Sequence, residues 1–285
     1  MSCIKYRYFF PIVFLFLVSC TKSNDAGNDL PFPSVVILDT AYGNDPLQKM
    51  DIYLVAGRNE HVPVIVLIHG GGWSGGDKNE LTSSVKGIQD LFPGYSVVNI
   101  NYRLAKDGVT NIFPTQENDV KAAIETILRN KEKFHISDAL ILTGFSAGGH
   151  LALLHGYKND PGRNVKAIVD FFGPTDLTAL SDIGLVQTLI LLNATGKTYS
   201  QDKEIFIQSS PINFITKNSP PTIILQGGKD DLVPQSQSIA LNNKLEENNV
   251  VHQLVLYPNE GHGWAGNNLL DSFNKIKDFI NTNVH

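Results

Sequence analysis

Residues 139–143, Ala-Leu-Ile-Leu-Thr, run directly into Gly144-Phe145-Ser146-Ala147-Gly148. A short apolar run bounded by glycine reads as a buried strand, and a Gly-x-Ser-x-Gly turn after it asks for a sharp reversal into a helix. That junction presents a serine hydroxyl at the end of a parallel strand, which limits the chain to helix-covered, mostly parallel sheets. The pentapeptide alone is a weak signal: at average glycine and serine usage it appears by chance in about one chain of this length in ten. Its weight comes from three further pieces at compatible positions.

The first is His69-Gly70-Gly71-Gly72-Trp73, which follows the β-rich apolar run Val-Ile-Val-Leu-Ile at 64–68. Consecutive glycines cost conformational entropy and supply no packing, so they belong where a backbone must approach a ligand with its N–H groups bare. The amides of Gly71, Gly72 and Ala147 are the candidate donors of an oxyanion hole. The other two pieces are Asp230 and His262, each in a Gly-rich loop after an apolar run, at 222–226 and 252–257 respectively. Loops after the strands of an α/β sheet gather on one edge, where such sheets bind ligands. Serine, acid and imidazole in that chain order form a candidate nucleophile, orienting acid and general base.

Competing residues sort by position. Asp231 adjoins Asp230 and only one of the two can face the imidazole; Asp230 is the first choice and Asp231 the fallback. His150 and His155 fall on the helix after Ser146 and read as packing or surface residues, and His69 as a brace for the glycine loop. There is no His-Glu-x-x-His or Cys/His cluster, so neither a metal nor another cofactor is expected.

Together with Leu47-Gln48-Lys49-Met50-Asp51-Ile52-Tyr53, Gly76-Asp77-Lys78, Asn101-Tyr102-Arg103-Leu104, Gly173-Pro174-Thr175-Asp176-Leu177 and Gly261-His262-Gly263, these motifs resemble bacterial α/β-hydrolase esterases. The likeness is to the hormone-sensitive-lipase and feruloyl/acetyl-esterase-like (BD-FAE-like) groups, and it covers roughly residues 35–280. It implies an α/β-hydrolase fold, a mostly parallel central sheet with helices on both faces, and a cofactor-free serine esterase. The implied substrates are small-molecule or oligosaccharide esters carrying acetyl or feruloyl groups. Esters of hydrophobic alcohols or acids, and a formamidase-like amide hydrolysis, remain alternatives; a non-catalytic binding protein would be expected to have lost one of these parts. Gln226 departs from the pattern, relatives often having histidine there, and by sequence it stands outside the proposed chemistry.

The N-terminus reads separately. Lys5 and Arg7 precede eleven uncharged, mostly apolar residues at 8–18, too few to span a bilayer as a helix and the right number for a signal-peptide core. Leu17-Val18-Ser19-Cys20 resembles a bacterial lipobox, which implies cleavage before Cys20 and its lipidation; a plain signal peptide that contains a cysteine is the alternative. The expected division is a leader at 1–19, a polar tether at 20–33 and the folded domain at 34–285. The expected destination is an exported, membrane-anchored position, periplasmic or on the cell surface, with the lipid as the membrane contact. A net charge of −5 marks no basic face, and nucleic acid is not expected as a partner.

Along the domain, apolar runs alternate with helical periodicity; Val120, Ile124, Ile127 and Leu128, for example, predict an amphipathic helix over 116–130. Residues 178–214 interrupt the alternation. Placed between the strand after the nucleophile and the acid strand, this insertion is either a small lid over the site or a completion of the packing. Trp73 and Trp264 flank the glycine loop and the histidine loop, each as a wall of the substrate pocket or as ordinary packing.

Overall fold

In the computed structural model, which describes residues 32–284, the apolar runs form one sheet. Its strands are β1 (Val35–Ala41), β2 (Lys49–Leu54), β3 (Val64–Ile68), β4 (Ser96–Ile100), β5 (Leu140–Phe145), β6 (Val165–Phe171), β7 (Thr222–Gly227) and β8 (His252–Tyr257). The leader, Cys20 and most of the expected tether lie outside the described residues. The spatial order is β1-β2-β4-β3-β5-β6-β7-β8. Strand β2 runs antiparallel to both β1 and β4, and every other neighbouring pair is parallel. A short connection over 42–48 allows the antiparallel β1–β2 pair, whereas each parallel step needs a crossover. Strands β3, β4 and β7 are buried at every position, as expected where helices cover both faces.

The helices are α1 (Thr82–Leu91), α2 (Thr115–Arg129), α3 (Lys131–Phe134), α4 (Ala147–Lys158), α5 (Leu177–Ser181), α6 (Leu185–Thr195), α7 (Lys203–Gln208), α8 (Gln235–Glu247) and α9 (Gly266–Asn283). Alternate residues of the strands feed two cores. Val64, Val66 and Ile68 pack with α2, α4 and α8 on one face. Ile65 and Leu67 pack with Val85 and Ile88 of α1 and Ile276, Phe279 and Ile280 of α9 on the other. The period-2 split of β3 thus assigns each helix to a layer. The predicted helix over 116–130 is α2, displaced by one residue. The insertion at 178–214 holds α5, α6, α7 and a 3-10 turn at Pro211–Phe214. Because β3, β5, β7 and β8 are parallel, the loops that follow them open on the same edge of the sheet.

Candidate active site

Ser146 sits between β5 and α4 with φ 53° and ψ −119°, a backbone conformation that a residue with a Cβ adopts only under constraint. Its N–H donates to Phe171 O at 2.8 Å, and its carbonyl accepts from His150 N at 3.0 Å. The flanking glycines are dictated by close approach. A Cβ on Gly144 would lie 2.1 Å from Gly148 O, and one on Gly148 would lie 2.1 Å from Ile68 O. Strand β3 and the start of α4 therefore touch backbone to backbone, which brings the loop after β3 beside the serine. Below the turn, Asp170 of β6 is fully buried; Oδ1 accepts from Gly173 N at 3.0 Å, while Oδ2 has no partner among the described residues. Burial pushes this carboxyl up to about 7.

The loops after β7 and β8 lie against each other. A Cβ on Gly227 would lie 2.1 Å from Gly261 O, and Lys229 N donates to Glu260 O at 2.8 Å. This contact brings Asp230 and His262 together across 32 residues of sequence: His262 Nδ1 is 2.7 Å from Asp230 Oδ2. His262 Nε2 is in turn 2.9 Å from Ser146 Oγ. A carboxylate accepts only, so Nδ1 carries the proton and Nε2 offers its lone pair to the serine hydroxyl. The Asp230 side chain is wholly shielded from solvent. Its Oδ1 accepts from Leu232 N and Val233 N, both at 2.9 Å, which fixes the carboxylate plane. Asp231 is exposed and makes no bond to the imidazole; of the adjacent acids, Asp230 is the one that faces it.

Gln226 is closer to this arrangement than sequence reasoning set it. Its Nε2 donates to Asp230 Oδ2 at 3.2 Å, to Gly227 O at 3.0 Å and to Val233 O at 3.0 Å, while Oε1 accepts from Ser238 Oγ at 2.8 Å. It is fully buried and braces the acid loop from beneath. The departure from the family pattern was the signal that could have singled it out.

The glycine loop turns through three successive residues of positive φ: Gly71 at 106°, Gly72 at 56° and Trp73 at 59°. The N–H groups of Ser74 and Gly75 fold back onto Gly71 O at 3.1 and 2.9 Å, while those of Gly71 and Gly72 donate to no acceptor among the described residues. Ala147 opens α4, so its N–H has no intrahelical partner either. Bare amides on the glycine loop and at the positive end of a helix, beside the candidate nucleophile, suit a developing oxyanion. His69 stacks on Tyr102 with ring centres 4.2 Å apart, and its Nδ1 is 2.8 Å from Gly70 O, in line with a bracing role.

A cavity of about 620 Å³ opens above Ser146 and His262. The insertion supplies part of its wall through Leu180, Gln187 and Ile190, and Gln187 Nε2 donates to Asp231 O at 2.9 Å. Trp73 lines this cavity while being almost completely buried, so wall and packing are both its role. Trp264 is different, and its candidacy for the substrate pocket is corrected. It lines a separate apolar cavity of about 240 Å³ toward α1 and α9, packs on Tyr257 and Phe172, and donates to Ser272 Oγ at 2.9 Å. Phe172, which sequence reasoning did not single out, lies 4.6 Å from the His262 ring and forms part of the wall of both cavities.

The BD-FAE family profile matches residues 50–245, more than half of the chain. The chain belongs to the BD-FAE family. It is also similar to the esterase LipC of Mycobacterium tuberculosis, 29% identical over 244 residues that cover 78% of this chain and 58% of that protein. Among solved structures, a bifunctional GH43-CE protein of Bacteroides eggerthii aligns with a TM-score of 0.77 and 29% identity, over 88% of this chain and 38% of that one. A truncated carbohydrate esterase from gut microbiota aligns with a TM-score of 0.74 and 26% identity, over 90% of this chain and 98% of that one. The α/β-hydrolase fold expected from the sequence therefore stands. The chain spans about half the length of the curated relatives it matches (58, 47 and 46%).

Proposed function

We propose that the protein is a serine carboxylic-ester hydrolase that deacylates carbohydrate esters through an acyl-enzyme. The observation that carries this reading is the unbroken run from Ser146 Oγ through His262 to the buried Asp230, at 2.9 and 2.7 Å, beside bare backbone amides. In the proposed reaction His262 Nε2 takes the Ser146 proton as Oγ attacks the ester carbonyl. The amides of Gly71, Gly72 and Ala147 stabilise the tetrahedral oxyanion. The imidazolium, held by Asp230, then protonates the leaving alcohol. Water activated by the same histidine releases the acid and restores the serine. All of this chemistry is supplied by the protein's own side chains and amides.

The carbohydrate side of the proposal is supported by the two similar solved proteins, whose names describe carbohydrate esterase activity or an association with it. The export and lipid anchor inferred for residues 1–20 would bring such an enzyme to polymeric substrates, and that part rests on the sequence alone. One observation favours a second reading. Apart from Ser146, His262, Ser74, Glu80 and Gln187, the catalytic cavity is walled mainly by apolar side chains such as Leu180, Ile190, Leu232 and Val233. That lining suits esters with an apolar group on one side of the scissile bond. Acetylated and feruloylated oligosaccharides assayed beside short- and long-chain p-nitrophenyl esters separate the two. The expected result is the highest kcat/KM on the oligosaccharide esters; a preference for long acyl chains would replace the carbohydrate reading with the second one.

A further inference from the structure

Trp73 is a tryptophan held at a φ of 59° directly after two glycines of positive φ. A side chain with a Cβ is disfavoured in this region, so something must hold it there. Its indole is 2% exposed and meets the His150 ring edge-on, with centres 5.1 Å apart at 84°. The indole Nε1–H donates to His150 Nδ1 at 3.2 Å, and His150 Nε2 lies 2.6 Å from Ser209 O. An indole only donates and a carbonyl only accepts, so the two partners together dictate a neutral imidazole with its proton on Nε2. Burial of the ring favours the same neutral form, pushing its pKa down to about 4.

His150 lies one helical turn beyond Ser146 on α4, and its own N–H donates to Ser146 O. A single ring thus joins three separate pieces of the site: the glycine loop through Trp73, the nucleophile helix through its backbone, and the insertion through Ser209. If the position served only to fill the core, an apolar side chain would do so without the cost of burying two ring nitrogens. A side chain that accepts at one edge and donates at the other is what this three-way junction needs.

We propose that His150 is a positioning residue that latches the oxyanion loop through the Trp73 indole and anchors that latch to the insertion at Ser209. The proposal rests on the ester-hydrolase reading above. It implies that the placement of the Gly71 and Gly72 amides depends on a hydrogen bond made behind the loop by the indole of Trp73, a residue that itself lines the cavity. A latch of this kind acts on the transition state, where the oxyanion forms, more than on substrate binding.

The two halves of the latch separate by substitution. His150→Asn puts an acceptor near the Nδ1 position and gives up Ser209; His150→Gln puts a donor near Nε2 and gives up the acceptor for Trp73. Trp73→Phe removes the donor. With p-nitrophenyl acetate, His150→Gln and Trp73→Phe are expected to lower kcat by about 10- to 100-fold with KM within about threefold, below the roughly 10²–10³-fold loss of a whole oxyanion donor. The double variant of His150→Gln with Trp73→Phe is expected to be no worse than the poorer single, and His150→Asn, which loses only the anchor at Ser209, to lower kcat by about two- to fivefold, less than His150→Gln. Urea unfolding of each variant accompanies the kinetics; should His150→Gln fail to fold, the contrast of Trp73→Phe with His150→Asn carries the same comparison. A kcat within twofold of wild type in Trp73→Phe, or losses that multiply in the double variant, would overturn the latch. Inactivity of the wild-type protein itself would instead remove the ester-hydrolase reading beneath it.

Discussion

Replacing Asp230 by asparagine isolates one property of the site, the tautomer of His262. The geometry fixes how the new amide must sit. Leu232 N and Val233 N both point their hydrogens at the Oδ1 position, at 2.9 Å, so the asparagine carbonyl oxygen must take that place. The NH₂ group then occupies the position of Oδ2, 2.7 Å from His262 Nδ1, and can only donate to it. Nδ1 becomes the acceptor and the ring proton moves to Nε2, where it faces Ser146 Oγ instead of a lone pair. The base is disabled with the shape intact. In addition, Gln226 Nε2, which donates to Oδ2 at 3.2 Å, would meet another donor. The expected loss in kcat is about 10⁴-fold, equivalent to about 5.4 kcal/mol of transition-state stabilisation. The assay is kcat and KM on p-nitrophenyl acetate beside urea unfolding at the same pH. Asp231→Asn is the parallel variant, expected to remain within a few-fold of wild type. A loss of less than about tenfold in Asp230→Asn, or an equal loss in Asp231→Asn, would refute the tautomer reasoning.

Two further outcomes follow from buried geometry. Gly148→Ala inserts a Cβ 2.1 Å from Ile68 O, so β3 and α4 must part; the expected cost is about 1–3 kcal/mol of unfolding free energy and at least a tenfold drop in kcat, read by urea melts and initial rates. Wild-type values for both would show that the contact is not rigid. Burial disfavours the Asp170 anion and pushes its carboxyl from the ordinary 3.8 up to about 7. Between those values the unfolded chain releases a proton that the folded chain keeps, so this group's contribution to stability is present at low pH and lost as pH rises. The slope is at most about 1.4 kcal/mol per pH unit for one proton. Urea unfolding at pH 5 and pH 7 should show the stability of Asp170→Asn falling less than that of wild type over the interval; parallel pH dependences would contradict the assignment.

The parts legible in the sequence are those fixed by local chemistry. The glycines around Ser146 and in the loop after β3 announce close backbone contacts, and the structure supplies them at Gly144, Gly148 and Gly71. Buried strands such as β3 and β7 are continuous apolar runs, so their existence and the edge on which their loops gather could be read directly. Residues whose role depends on what folds back onto them were not legible. Gln226 looks like the last polar residue of an apolar strand; only the return of the acid loop makes it a brace for Asp230. His150 reads as helix packing until Trp73 and Ser209, 77 and 59 residues away, meet its two nitrogens. Trp264 adjoins the catalytic histidine candidate in sequence, yet its indole packs beyond Phe172, against Tyr257 and Ser272, and lines the neighbouring cavity. Sequence proximity to a site residue is a poor guide to a shared role.

The central claim is that Ser146 is the nucleophile of this site, and covalent trapping tests it most directly. Native protein is treated with a fluorophosphonate, digested and analysed by mass spectrometry, with Ser146→Ala and heat-unfolded protein in parallel. The expected result is a single phosphonylated residue, Ser146, in the native wild-type protein, and none in the variant or the unfolded sample. A native protein that takes no label, or that takes it on another residue while Ser146 stays free, would contradict the claim.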